Sequence, residues 1–213
     1  MTRAAVPLLI VLGVAIGLST RMVVNCGDED EPDICSAVIG FSPFRGSLIA
    51  FAYEGRGRIA LRHGDNGRAI ADFNEAIHLN SNRASLYRDR AQAYRQNGDF
   101  GLAVADYDEA IALDPKPAAP YRERGLALVA KGDLDRAILS YSTAVRLDPT
   151  DAQARLDRGL AFLARGQAND ARADFEAALA LPPGKDSRTR DAARAKLAEL
   201  AQTKPTQVLM PQR

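Results

Sequence analysis

One short turn sequence occurs four times in this chain at a constant interval of 34 residues. The copies are GDNGRAI, GDFGLAV, GDLDRAI and the weaker GQANDAR, and they start at Gly64, Gly98, Gly132 and Gly166. Similarity at a fixed period of this length is typical of repeat proteins, in which each unit packs only on its neighbours. The chain is therefore predicted to fold as an array of similar units.

Aligning the chain in rows of 34 residues extends the similarity over residues 50–185, as rows 50–83, 84–117, 118–151 and 152–185. Small residues fill three columns and an aromatic residue fills a fourth: Gly57, Ala91, Gly125 and Gly159; Ala69, Ala103, Ala137 and Ala171; Ala76, Ala110, Ala144 and Ala178; and Phe73, Tyr107, Tyr141 and Phe175. Small side chains let two helices approach closely, and the ring fills the space beside them.

The turn within each row is predicted to separate two helices. Its glycine can end one helix in the left-handed conformation, and Asp65, Asp99 and Asp133 directly after it can cap the next helix. Rows two to four end near a proline, which cannot continue a helix, whereas the first row has Ser81 there. Each row is thus predicted to be helix, turn, helix.

These columns resemble those of the tetratricopeptide repeat family over the whole of residues 50–185. The resemblance implies an all-α fold, a right-handed superhelix of four helix-turn-helix repeats whose concave face is built mainly by the first helix of each row. Residues 186–203 are expected to form a capping helix, because Ser187 can cap it and Ala193, Leu197 and Leu200 share one face. Residues 204–213 are expected to be a flexible tail.

The first 20 residues are predicted to be a signal peptide or an N-terminal membrane anchor. Arg3 precedes an apolar run over residues 4–18, which has the length of a secretory h-region and is short for a membrane span. Cleavage after Gly17 or Ser19 and retention as an anchor both remain open. The segment resembles the start of bacterial secreted tetratricopeptide proteins, which implies a periplasmic location, either free or anchored in the inner membrane.

Residues 21–49 are expected to form an irregular N-terminal cap with an acidic loop. Cys26 and Cys35 flank the acidic stretch GDEDEPDI, and in an oxidising compartment they are expected to form a disulfide. A calcium site in the acidic loop is the alternative, although the D-x-D-x-D-G pattern is absent.

One column places an arginine in every row: Arg56, Arg90, Arg124 and Arg158. An aspartate follows 16 residues later in three rows, as Asp72, Asp106 and Asp174, while the third row has Ser140. The two positions fall at nearly the same height of an antiparallel hairpin, which predicts a structural ladder of ion pairs that leaves Arg124 without its partner. A row of arginines displayed to a ligand is the alternative.

The resemblance also implies which side chains face the concave groove. The predicted partner-binding residues are Arg58, Arg62, Arg88, Gln92, Arg95, Arg122, Leu126 and Leu160, and the same family columns include Leu61, Asp89, Gln96 and Leu156. A basic, polar end passes into an apolar end, which suits an extended peptide with an acidic or carboxylate end and hydrophobic side chains. Ordinary solvated helix faces are the alternative.

The charge balance and the motifs favour a binding protein over an enzyme or a nucleic-acid binder. The formal net charge is +1, from 28 basic and 27 acidic residues, so bulk attraction to nucleic acid is not expected. No metal ion or cofactor is expected, because the two histidines and two cysteines match no ligand spacing and the GxG of YEGRGR lies in a repeat helix. We expect a non-catalytic adaptor for a peptide or protein, or alternatively a membrane-anchored assembly or oligomerisation factor that acts through its repeat ends, including as a homo-oligomer.

Overall fold

The computed structural model describes Cys35, Ser36, Ile39 and residues 46–182 and 187–202. Within these ranges the chain forms nine helices with defined first and last residues, and no strand. The helices are α1 Ser47–Arg62, α2 Asn66–Leu79, α3 Ala84–Asn97, α4 Phe100–Leu113, α5 Ala119–Lys131, α6 Leu134–Leu147, α7 Ala152–Ala164, α8 Ala168–Ala180 and α9 Arg188–Gln202. The all-α class predicted from the sequence is confirmed.

The chain divides into two compact units, Met1–Asn97 and Gly98–Arg213. In the first unit, α1 packs on α2 and both contact α3. In the second unit, each helix from α4 to α8 packs on the helix that follows it, and α7 also contacts α5 and α9. Contact between neighbours in the sequence is the arrangement that the 34-residue period predicts.

The four turn glycines have the left-handed backbone predicted for them. Their φ angles are 77° at Gly64, 89° at Gly98, 87° at Gly132 and 81° at Gly166. After two of these turns an aspartate caps the next helix, since the side chains of Asp65 and Asp133 accept hydrogen bonds from the backbone N–H of Arg68 and Arg136. Asp99 occupies the same position before α4 but its side chain makes no capping bond there, contrary to the prediction.

Close packing of a glycine against a ring accounts for one of the small columns and for the aromatic column in three of the four rows. A Cβ atom added to Gly57 would lie 2.9 Å from the Phe73 ring, and one added to Gly125 or Gly159 would lie 2.5 Å from the ring of Tyr141 or Phe175. The three rings are almost completely buried. The glycine therefore allows the two helices of a hairpin to approach until the ring contacts the backbone.

The last helix, α9, covers apolar side chains of the preceding hairpin. Ala193 is buried in one cluster with Leu156, Ala171 and Phe175, and Leu197 and Leu200 pack against the same cluster. Leu156 was expected to line the concave face, but it is 4% exposed and belongs to this core. The apolar face of α8 is thus shielded from water, as the end of a repeat array requires.

Before α1, the residues Cys35, Ser36 and Ile39 are helical. Cys35 is fully buried with Ala52 and Ile59, and Ile39 packs against this cluster. The predicted signal or anchor, the acidic loop, Cys26 and the tail lie outside the described residues, so the disulfide between Cys26 and Cys35 stays a prediction. In the described ranges, no helix is both long enough and apolar enough to cross a membrane.

Candidate functional site

The arginine column forms the predicted ion pairs within two hairpins. Arg56 donates from Nε and Nη2 to Asp72 over 2.9 Å and 2.7 Å. Arg158 makes the same two-pronged contact with Asp174 over 2.7 Å and 2.6 Å. The hydrogen bond to Asp72 raises the pKa of Arg56, and burial only partly offsets this effect. Arg90 belongs to the first unit and Asp106 to the second, so the pair predicted for the second row stays a prediction.

Three arginines of this column also bind side chains 16 residues before them, and these contacts were not predicted. Arg90 Nη1 donates to Asn74 over 2.6 Å, Arg158 Nη1 donates to Ser142 over 3.1 Å, and Arg124 forms an ion pair with Asp108. These partners occupy one column of the alignment and are all polar, a signal that was visible in the sequence.

Arg124 has no carboxylate partner in its own row, as the sequence predicts, but its guanidinium is bound by other groups. Its Nε donates to the Ser140 hydroxyl over 3.1 Å, and Nη1 pairs with Asp108. Its guanidinium also lies 5.6 Å from the centre of the Tyr121 ring, as Arg56 lies 5.5 Å from the Tyr53 ring. The arginine column therefore joins helices to one another, which favours the structural role over display to a ligand.

In the first unit, three of the predicted groove residues meet around an open cavity of about 440 Å³. Its lining consists of Arg58, Leu61, Arg62, Gly64, Asp89, Gln92 and Gln96, which come from α1, α3 and the turn after α1. Arg88 and Arg95 lie on α3 but do not line this cavity. Both are partly buried, and Arg88 Nη2 lies 3.7 Å from Asp89 Oδ1.

Arg58 is held in place by buried carboxylates. Its Nε lies 2.6 Å from Oδ2 of Asp89, and its Nη2 lies 2.8 Å from Oε1 of Glu54. Glu54 is 1% exposed and also pairs with Arg83 over 2.7 Å. Burial is the largest single effect and would lower the pKa of Arg58, but the attraction of Asp89, the hydrogen bond to Asp89 and the attraction of Glu54 together outweigh it, so the pKa is raised. Arg58 thus stays charged and fixed, while Arg62 and Gln96 are exposed and Gln92 is partly exposed.

In the second unit, Arg122 belongs to a network that reaches α9. Its Nη1 donates to Asp157 Oδ2 over 3.2 Å, and its Nε lies 3.7 Å from Asp151. The other oxygen of Asp157 accepts a bond from Gln153 over 2.7 Å, and Gln153 accepts one from Thr189 over 2.6 Å. Burial raises the pKa of Asp157. This network is not evident from the sequence. Within it Arg122 links helices and offers little free surface to a ligand.

The apolar end of the predicted groove is only partly accessible. Leu126 on α5 is partly buried and Leu160 on α7 is 38% exposed. Among the described residues, no three His, Cys, Asp or Glu side chains are grouped so that they could hold a metal ion.

Comparison with known proteins agrees with this architecture. A family model described as tetratricopeptide repeat matches residues 54–120, and one described as TPR repeat matches residues 125–166. No curated protein sequence matches the chain significantly.

Solved structures of tetratricopeptide proteins are similar to the chain. MamA from Desulfovibrio magneticus RS-1 is 18% identical, with a TM-score of 0.69 over 77% of this chain and 93% of that one. YrrB, a TPR protein with an unusual peptide-binding site, is 18% identical, with a TM-score of 0.68 over 84% and 90%. The first TPR of Spaghetti (RPAP3), bound to the HSP90 peptide SRMEEVD, is 24% identical, with a TM-score of 0.54 over 57% and 98%.

Identities this low show a shared fold and nothing finer. The helical hairpins, the glycine-to-ring packing and the two family matches agree with it. The chain belongs to the tetratricopeptide repeat family.

Proposed function

We propose that the chain is a non-catalytic adaptor that binds a peptide or protein through the first-helix face of its repeats. The cavity between α1 and α3 carries this proposal, because it gathers Arg62, Gln92 and Gln96 beside fixed and buried ion pairs. Two structurally similar proteins are described with a peptide or a peptide-binding site, which supports the same class of function.

The chemistry of the cavity suits an extended peptide. The amides of Gln92 and Gln96 offer both donors and acceptors to a peptide backbone, and Arg62 offers a cation. Leu61 adds apolar surface to the lining. The buried pair of Arg58 and Asp89 holds α1 against α3, so these contact groups are positioned before the partner arrives, which lowers the entropy cost of binding.

We further propose that the protein is exported and works in the periplasm. The apolar run after Arg3 supports export, and two cysteines suit an oxidising compartment. Whether residues 1–20 are cleaved or kept as an anchor belongs to the same proposal.

Site-specific photo-crosslinking tests the adaptor proposal. A photoreactive amino acid at Gln92 is expected to trap a partner protein in cells, whereas the same group at Arg172, an exposed position on α8, is expected to trap far less of it. Equal trapping at both positions would contradict the proposed site. Crosslinks that join copies of the chain only at its ends would instead support the alternative, an assembly factor that acts through repeat ends.

A further inference from the structure

The outer face of α4 is unusually apolar for a surface that faces water. Six exposed residues form this outer arc: Gly101, Leu102, Ala105, Glu109, Ala112 and Leu113. Leu102 is 54% exposed and Leu113 is 40% exposed, and Glu109 is the only charged residue in the arc. The solvent face of a helix normally carries mostly charged and polar residues.

The other repeats provide an internal comparison. At the position of Leu102, α2 has Arg68 and α6 has Arg136, and at the position of Ala112 they have His78 and Arg146. At these two positions α2 and α6 therefore carry basic or histidine side chains, although α6 exposes Leu139 at the position of Ala105 and α2 exposes Leu79 at that of Leu113. The outer arc of α4 differs in having no basic side chain.

A hollow lies at one end of the outer arc and a protruding side chain lies at the other. The hollow has a volume of about 540 Å³ and is lined by residues 98–102 with Ala130 and Lys131. A Cβ atom added to Gly101 would meet no atom within 4 Å, so this end of the arc is open. Leu113 lies at the opposite end of α4, about 16 Å away at 1.5 Å per residue.

From this arrangement we infer that α4 pairs with α4 of a second copy of the chain, antiparallel about a two-fold axis. In such a pair, Leu113 of each copy lies over the hollow of the other, so one contact forms twice, as an isologous interface requires. Glu109 of each copy then faces the N-terminal half of the other copy's outer arc, which is the half that lies next to Lys131. Both side chains are exposed and neither has an ion-pair partner among the described residues. Shape and charge are therefore both self-complementary.

The size of the arc limits the strength of this pairing. One face of a 14-residue helix offers far less area than the roughly 800 Å² per partner of a standard stable interface. A reversible dimer with a dissociation constant in the micromolar range or weaker is expected. This surface differs from both the α1–α3 cavity and the repeat ends, so dimerisation and partner capture can be tested separately.

Analytical ultracentrifugation of the full chain over a range of concentrations tests the inference. Wild type is expected to shift reversibly from monomer to dimer as its concentration rises. Ala105→Glu places like charges near the two-fold axis and is expected to weaken the dimer by more than about tenfold. Ala173→Glu is the matched control, because Ala173 is the exposed residue at the same repeat position of α8 and its substitution should leave the dimer unchanged.

Charge exchange sharpens the test. Glu109→Lys and Lys131→Glu are each expected to weaken the dimer, and the double variant is expected to restore it, because it reverses the sign of both partners. Circular dichroism checks that each variant is folded. A wild type that remains monomeric at high concentration would overturn the inference. So would an Ala105→Glu variant that dimerises like wild type, or a double variant that is weaker than both single ones.

Discussion

Arg158 and Asp174 form a two-pronged ion pair across the hairpin of α7 and α8, with Nε 2.7 Å from Oδ2 and Nη2 2.6 Å from Oδ1. The side chain of Asp174 is 6% exposed and that of Arg158 is 20% exposed. Removing one partner of a buried pair leaves the other charge without compensation.

Asp174→Ala is therefore expected to lower the free energy of unfolding by about 2 to 3 kcal/mol. This is less than the roughly 3 to 5 kcal/mol of a fully buried pair, because Arg158 reaches water and keeps its bond to Ser142. Urea denaturation followed by circular dichroism measures the loss.

Ser140→Ala is the matched control, since Ser140 occupies the same repeat position in α6. Its hydroxyl accepts one hydrogen bond from the Arg124 guanidinium. In the variant, Arg124 would keep its ion pair with Asp108. We expect a loss of about 1.5 kcal/mol, the low end for a bond to a charged group, because Arg124 keeps this ion pair. Equal losses for the two variants would show that the carboxylate has no special role in the column.

The packing of Gly125 against Tyr141 predicts a second effect on stability. Gly125→Ala would place Cβ 2.5 Å from the buried ring, which cannot retreat without disturbing its neighbours, and is expected to cost about 1 to 3 kcal/mol. Gly67→Ala is the control, because its nearest neighbour would lie 3.9 Å away and alanine favours the helix by up to about 1 kcal/mol. Thermal unfolding should lower the Tm of the first variant and leave that of the second unchanged or higher. The opposite order would contradict the packing account.

The raised pKa of Asp157 predicts the direction in which the stability of the fold changes with pH. Burial holds its pKa above the ordinary value of 3.8. Between 3.8 and the raised pKa, the folded chain therefore binds more protons than the unfolded chain. The stability contributed by Asp157 is therefore highest at acidic pH and is lost as the pH rises through the raised pKa. Relative to Asp157→Asn, wild type should gain stability when the pH falls from about 7 to about 4.

Asp148 provides a control of opposite sign. Its carboxylate accepts bonds from the Thr150 hydroxyl over 2.7 Å and from the Thr150 backbone over 2.9 Å, which lowers its pKa. Its contribution is present above the ordinary pKa and is lost as the pH falls through the lowered one. Relative to Asp148→Asn, wild type should therefore lose stability on acidification. Parallel pH trends for the two variants would rule out the assignment.

The predicted disulfide has a direct chemical test. Thiol titration of the unfolded, unreduced protein is expected to detect no free thiol, and reduction is expected to destabilise the fold by about 2.5 kcal/mol in the chain-entropy model. Two reactive thiols, or a stability that reduction does not change, would contradict the bond between Cys26 and Cys35.

The sequence predicted the fold well because repetition amplifies each weak signal. A single glycine says little, but Gly64, Gly98, Gly132 and Gly166 at one spacing specify four left-handed turns, which the structure contains. The pairing of Arg158 with Asp174 was predictable for the same reason, since each hairpin places those two columns at one height.

The contacts between the first helices of neighbouring rows were harder to predict from the sequence. Arg58 binds a residue 31 positions later, whereas Arg122 binds one 35 positions later, so no single column offset describes both pairs. The partner of a long, flexible side chain depends on how far the side chain extends and on which carboxylates are buried near it. The 34-residue period determines neither of these. For this reason the sequence pattern places Arg58 and Arg122 on a ligand surface, although in the structure carboxylates bind both side chains.

The most direct test of the adaptor account is quantitative partner capture by crosslinking, compared between Arg62→Glu and Arg68→Glu. Arg62 lines the α1–α3 cavity, whereas Arg68 is exposed on α2 and lies outside it, so both variants change the net charge equally. The account predicts that Arg62→Glu loses most of the captured partner while Arg68→Glu retains it, with both variants folded. Equal capture by the two variants would contradict the claim that this cavity is the working surface.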